Sequence, residues 1–242
     1  MKRFCLVLGA SGVIGCAISE QLAQDGWSLY MQYNQGAGVA SELINKLTAS
    51  YPEQEFMTIQ ADLTAPSAAE QIAGSIFSLQ AIVVASGQAL YKLVDDTSAD
   101  EMDALWKVHV QTPIRLISLL ASKLRHNEIS HITMIGSIWG EAGASGEALY
   151  ATVKGALHAF VKSYAQEAAG NGILVNAVAP GFINTKMNGH LSDLEEQALI
   201  AEIPLARAGS PTEVGDLVSF LLSGRANYIT GQILRINGGW YI

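Results

Sequence analysis

An α/β fold built on one doubly wound, seven-stranded parallel sheet is predicted by three observations. Short apolar runs alternate with longer segments of helical period, half of the residues are hydrophobic, and a glycine-rich turn directly follows the first run. The strand candidates are residues 4–8, 28–33, 56–60, 81–85, 131–136, 173–178 and 232–236. Between them, residues 14–24, 102–124, 148–169 and 212–222 carry apolar side chains three and four positions apart, the spacing that gives a helix one apolar face. Strands alternating with helices imply right-handed crossovers and helices on both faces of the sheet. No repeat, low-complexity tract or linker divides the 242 residues, so one domain spanning residues 1–242 is expected.

One segment departs from the alternation. Residues 182–207 include Asn184, Asn188, Gly189 and Pro204 around a short helical patch at 194–200, and they read as a lid after the sixth strand. Ligands of such sheets bind beyond the carboxyl ends of the strands, where a lid in this position would sit.

Composition excludes several classes. A formal charge of −8 and the lack of a Lys/Arg stripe argue against nucleic acid as a partner. No run of 18 apolar residues is present, so no membrane span is expected, and Met1-Lys2-Arg3 with the apolar run after it reads as a strand rather than a secretory leader. Cys5 and Cys16 are too few and too irregularly spaced for a disulfide framework, and they read as reduced, packed thiols of a cytoplasmic protein. His109, His126, His131, His158 and His190 include no pair at metal-ligand spacing, so no metal site is expected.

The turn Gly9-Ala10-Ser11-Gly12-Val13-Ile14-Gly15 opens into a helix. Small residues there let backbone N–H groups approach a pyrophosphate, which the positive end of the helix dipole also attracts. A plain strand-to-helix turn would favour glycine as well. After the second strand, Gln32-Tyr33-Asn34-Gln35 lacks the carboxylate that would bind the ribose 2′-hydroxyl of NAD and repel a 2′-phosphate. NADP(H) is therefore the favoured cofactor, with NAD(H) left open because no arginine nearby selects the phosphate. In Ala61-Asp62-Leu63, after the third strand, Asp62 is placed to meet the adenine amino group or to act as a turn aspartate.

Tyr150 and Lys154 stand four apart near the start of a predicted helix, which puts phenol and ammonium on one face. An ammonium about 5 Å from a phenol, at an effective dielectric near 20, stabilises the phenolate by roughly 3 kcal/mol, or about two pKa units. Tyr150 is thus the candidate proton donor and acceptor. Ser137, thirteen residues upstream, is the candidate donor to a substrate carbonyl, unless it is an ordinary loop serine.

Taken together, the glycine turn, Ser137, Tyr150-x-x-x-Lys154 and Pro180-Gly181 followed by Thr185 resemble the classical short-chain dehydrogenases/reductases over the whole chain. The segments 203–207, 209–214 and 228–239 are most similar to 3-oxoacyl-acyl-carrier-protein reductases. The resemblance implies a Rossmann fold with strand order 3-2-1-4-5-6-7 and hydride transfer between nicotinamide and a carbonyl or secondary alcohol, a 3-oxoacyl thioester being the first candidate. It also implies that Lys154 binds the nicotinamide ribose and that Ile183 and Thr185 contact the carboxamide and phosphate. Gly9, Ser11, Gly12, Ile14, Gly15, Asn34, Asp62, Leu63, Ala85, Gly87, Pro180 and Gly181 complete the implied cofactor contacts.

The chain departs from that family at several places. Val13 replaces a fingerprint glycine, and Val84-Ala85-Ser86-Gly87 replaces Asn-Asn-Ala-Gly. His109 replaces an asparagine that helps hold a proton-relay water behind Lys154. A neutral imidazole can donate and accept, so His109 is either a relay residue or a satisfied helical histidine. Glu128 and Asn171 replace basic residues that dock an acidic carrier protein near the active-site entrance, which disfavours that partner even with Lys123 and Arg125 close by.

Trp139, Trp240, Tyr91 and Tyr241 could line an apolar pocket or belong to core or interface, and no role is assigned to them. The apolar helix bearing Tyr150 implies, by the resemblance, a homotetramer first and a dimer second. The rival reading is a cofactor-binding regulatory or structural protein that kept the fold and lost catalysis.

Overall fold

The computed structural model describes residues 2–185 and 192–242. Seven strands form one sheet in the order β3-β2-β1-β4-β5-β6-β7. They are β1 (Arg3–Leu8), β2 (Trp27–Tyr33), β3 (Phe56–Gln60), β4 (Ala81–Val84), β5 (Ser130–Ile135), β6 (Ile173–Pro180) and β7 (Ile233–Ile236). Every pairing is parallel; in β1, Leu6 lies opposite Tyr30 of β2 on one side and Ile82 of β4 on the other. The strand order reverses between β1 and β4, and ligands of open α/β sheets bind at such a point.

Alternation along the strands divides the core into two layers. Leu6 and Leu8 of β1 face one cluster with Tyr30, Leu120 and Val161, whereas Cys5 and Val7 face the other with Ile18, Met31 and Val218. All are essentially inaccessible, as expected for a parallel sheet covered on both faces. Each fully buried aliphatic side chain of this kind stabilises the fold by about 1.5–3 kcal/mol. The helices are α1 (Val13–Gln24), α2 (Ala37–Ser50), α3 (Ala68–Gly74), α4 (Ala99–Trp106), α5 (Thr112–Leu124), α6 (Trp139–Ala142), α7 (Ala148–Ala168), α8 (Asp193–Glu202) and α9 (Pro211–Leu222).

The structure adds two helices to those the sequence singled out and corrects one expectation. Residues 37–50 and 68–74 form α2 and α3, which the apolar pattern did not single out, although Ala40, Leu43 and Leu47 are buried at helical spacing. The helix expected over 102–124 is two helices, α4 and α5, joined by a π-helical turn at Lys107–Gln111. There the Thr112 N–H reaches back five residues to the Lys107 carbonyl. Pro113 supplies the reason, since it has no N–H to bond the His109 carbonyl four residues before it.

Candidate active site

The glycine turn is locked from two sides. Gly9 has φ +75°, and a Cβ there would stand 2.6 Å from the Ser86 Cα; a Cβ on Gly15 would stand 2.1 Å from the Gly9 carbonyl oxygen. The first contact presses the turn against the exit of β4, and the second lets α1 start directly above it. From β2, the Gln32 Oε1 accepts from the Gly9 N–H at 2.9 Å while its Nε2 donates to the Ala61 carbonyl at 2.7 Å, tying the turn to the end of β3. No side chain caps α1 and no acidic residue lies in its first turn. Its positive end therefore faces a cavity of about 780 Å³.

Three adjoining cavities hold all the candidate catalytic and cofactor-contact residues. The central one is lined by Ser11, Gly12, Ile14, Gly15, Ala85, Gly87, His109, Ser137, Tyr150, Lys154, Pro180, Gly181, Ile183 and Thr185. A cavity of about 330 Å³ continues it past Gly9, Asn34, Asp62 and Leu63. A third, of about 510 Å³, opens on the other side and shares Ser137, Tyr150 and Gly181 with the centre. The Asp62 Oδ1 accepts from the Thr64 N–H at 2.9 Å and from the Thr64 hydroxyl at 2.8 Å, so its side chain makes the turn contact while lining the smaller cavity. The Ser86 Oγ is buried there with no partner among the described residues. An uncapped helix start, a buried hydroxyl without a partner and a trough of this extent suit a dinucleotide.

Tyr150 and Lys154 lie one turn apart on α7, with the Lys154 Nζ 5.5 Å from the centre of the phenol ring. Lys154 is buried and donates to the Ile135 carbonyl, at the end of β5, at 2.8 Å. Burial brings its ammonium down to about 7. Burial also pushes the Tyr150 phenol above its ordinary value, a hydrogen bond with Ser137 pulls it back, and the Glu147 charge pushes it further up. This corrects the expectation that Lys154 would lower it: a lysine that loses its proton near 7 is neutral before the phenol titrates. Tyr150 is therefore a protonated group at neutral pH.

Ser137 follows β5, is buried, and accepts from the Trp139 N–H at 3.2 Å. His109, buried in the π-helical turn, has its Nε2 within hydrogen-bond reach of the Gln88 backbone, 3.1 Å from the N–H and 3.0 Å from the carbonyl, the tautomer deciding between them. Burial, and then the Lys154 charge, bring it down to about 3. Gly87 is held to glycine by this ring, because a Cβ there would meet the His109 Cε1 at 2.9 Å.

The structure also adds residues to the site. The cavity of about 510 Å³ is walled by Tyr91, Leu93, Trp139, Phe182, Leu199 and Trp240, of which the sequence offered Tyr91, Trp139 and Trp240 as pocket candidates, without a role. The expected lid is described in part. Asn188 and Gly189 lie outside the described residues, while the Asn184 and Gly209 backbones pair and α8 replaces the shorter patch. Glu128 and Asn171, expected at the site entrance, are exposed just before β5 and β6 begin, at the opposite ends of the strands from the cavities. Among the described residues there is no group of His, Cys, Asp and Glu able to hold a metal ion, and no helix is long and apolar enough to cross a membrane.

Comparison with known proteins agrees with this arrangement. A family described as Enoyl-(Acyl carrier protein) reductase matches residues 9–241. The chain is similar to "Uncharacterized oxidoreductase YmfI" of Bacillus subtilis (strain 168), with 41% identity over 242 residues and all of both chains covered. It is similar to "3-oxoacyl-[acyl-carrier-protein] reductase FabG" of Staphylococcus aureus (strain Mu50), with 31% identity covering 100% of this chain and 99% of the other. Among solved structures, a blue fluorescent protein from a metagenomic library in complex with NADPH superposes with a TM-score of 0.92 and 28% identity, covering 99% of this chain and 98% of that one.

Proposed function

The chain belongs to the short-chain dehydrogenase/reductase family of nicotinamide-dependent oxidoreductases, and from that premise we propose that it reduces a carbonyl compound with NADPH, Tyr150 supplying the proton. One observation carries the reading: Ser137 and Tyr150 stand in the wall shared by the trough that suits a dinucleotide and the cavity beside it. A molecule in the second cavity meets the same two side chains as a cofactor in the first. The absence of a carboxylate from Gln32 to Gln35 supports NADPH over NADH.

Bound in the trough, reduced nicotinamide supplies the hydride that a carbonyl carbon accepts. The Ser137 hydroxyl donates a hydrogen bond to the carbonyl oxygen and holds the substrate in line. Tyr150 gives its phenolic proton to that oxygen as the alcohol forms. Lys154, anchored on the Ile135 carbonyl, binds the nicotinamide ribose and returns a proton to Tyr150. His109 passes protons in from behind, its unpartnered Nδ1 being the free end of that relay.

A 3-oxoacyl thioester is the first substrate candidate, supported by the relative from Staphylococcus aureus, and a homotetramer is the proposed assembly. NADPH and NADH oxidation, followed with a panel of 3-oxoacyl thioesters, diketones and quinones, tests the reading. Turnover is expected with NADPH and is expected to be lost in Tyr150→Phe by about 10²-fold or more. Cofactor binding without turnover of any carbonyl would instead identify a regulatory or structural protein.

A further inference from the structure

The cavity of about 510 Å³ has a chemical character of its own. Two aromatic rings of its wall meet edge-on, Trp139 and Trp240 at 5.2 Å and 72°, and Tyr241 backs Trp139 at 5.3 Å and 70°. Trp240 and Tyr241 come from the last three residues of the chain, folded back onto the segment that follows Ser137. The fold-back is built in. Gly238, Gly239 and Tyr241 all have positive φ, and the Asn237 side chain donates to the Trp240 and Tyr241 carbonyls while accepting from the Gly239 N–H at 3.1 Å. Trp240 is buried, packed with Ile138, Phe182 and Ile203.

The lining carries one charge of each sign. Among the described residues lining it, Lys92 is the one cation, and it is held by Glu101 at 2.5 Å. Glu147 also lines the cavity, and its charge pushes both Tyr150 and Tyr91 upward. A carboxylate entering would lose hydration without gaining a cation. A flat ring would find edge-on partners at the spacing that aromatic pairs favour.

We propose that this cavity takes uncharged carbonyl compounds bearing a flat apolar ring next to the carbonyl, with Trp240 selecting the ring and carboxylate-bearing substrates turned away. The proposal rests on the reading of Ser137 and Tyr150 as the carbonyl-binding pair and, for that same site, names a substrate class in place of the 3-oxoacyl thioester.

Three compounds separate ring from charge: ethyl phenylglyoxylate, ethyl pyruvate and phenylglyoxylate. With the full chain and NADPH, kcat/KM is expected to be at least about tenfold higher for ethyl phenylglyoxylate than for ethyl pyruvate, and about 100-fold higher than for phenylglyoxylate. In Trp240→Ala the ring preference is expected to fall below about threefold, chiefly through KM, while Trp240→Phe keeps it. Quenching of tryptophan emission in the complex with NADP⁺ measures binding of the same compounds without turnover. Binding that prefers the neutral ring and depends on Trp240, with no reduction, would uphold the proposal and remove the reductase reading. Reduction or binding of phenylglyoxylate as good as that of its ester, or a ring preference unchanged in a folded Trp240→Ala, would overturn the proposal and leave the reductase reading standing.

Discussion

His109 meets Tyr150 edge-on, with ring centroids 5.7 Å apart and planes at 89°. The histidine reaches that position because a π-helical turn interrupts the helix that carries it. Such turns concentrate at functional sites, where an extra residue in the turn re-aims a side chain. Here it brings an imidazole that stays neutral at physiological pH against the phenol, with Lys154 near enough for its charge to be felt.

If His109 relays protons, His109→Ala should lower kcat about tenfold or more while the NADPH Kd changes less than about twofold, and His109→Asn should recover most of the loss. Steady-state kinetics and fluorescence titration of NADPH measure both. Unchanged turnover in His109→Ala would take the residue out of the mechanism.

The pH dependence of reduction should follow Lys154 rather than Tyr150. Lys154 loses its proton at about 7, whereas Tyr150 keeps its own well beyond that. The expected kcat/KM for a ketone is level below neutrality and falls as pH rises through about 7, as the charged lysine that replenishes Tyr150 disappears. A profile level from pH 6 to 9 would contradict this.

Acid should destabilise the fold through His158. Its ring fills the space left by Gly136 and Gly140, and neither nitrogen has a partner among the described residues. Burial brings it down to about 4; Glu141 opposes that shift, and Lys154 and Lys162 add to it. The unfolded chain binds this proton first, so stability is fully present above pH 6.5 and is lost as pH falls toward 4. The loss from this residue is about 3 kcal/mol. Denaturant titrations at pH 7 and pH 4.5 should show a smaller drop in His158→Leu than in the parent, and equal drops would exclude the residue.

Two glycine substitutions should have opposite signs. Gly15→Ala places a methyl 2.1 Å from the Gly9 carbonyl oxygen, against backbone that cannot yield, and should cost about 2 kcal/mol together with most of the NADPH affinity. Gly38→Ala, exposed in α2 with nothing within 4 Å, should gain about 0.5 kcal/mol and leave NADPH binding as it is. Thermal unfolding and NADPH titration of both variants check the contrast.

Much of the fold was legible because period and hydrophobicity are local. The strands at β1, β3, β5 and β6 stand within a residue or two of where their apolar runs placed them. α2 was less visible, with glycine at its start and only Ala40, Leu43 and Leu47 on its buried face. The break between α4 and α5 had one local sign, Pro113, whose missing N–H the apolar pattern does not register.

The sequence by itself determined the sheet, the glycine turn and the pairing of Tyr150 with Lys154, because these depend on spacing within one strand or helix. Tertiary structure decided what surrounds them. Burial on α7 and at the end of β5 made Lys154 the group near neutrality and Tyr150 a held acid, the reverse of what the charge pair alone implies. Likewise, the return of the last residues onto Trp139 turned aromatic residues a hundred positions apart into one cavity wall. Solvation and long-range contact are properties of the folded chain, so no local pattern carries them.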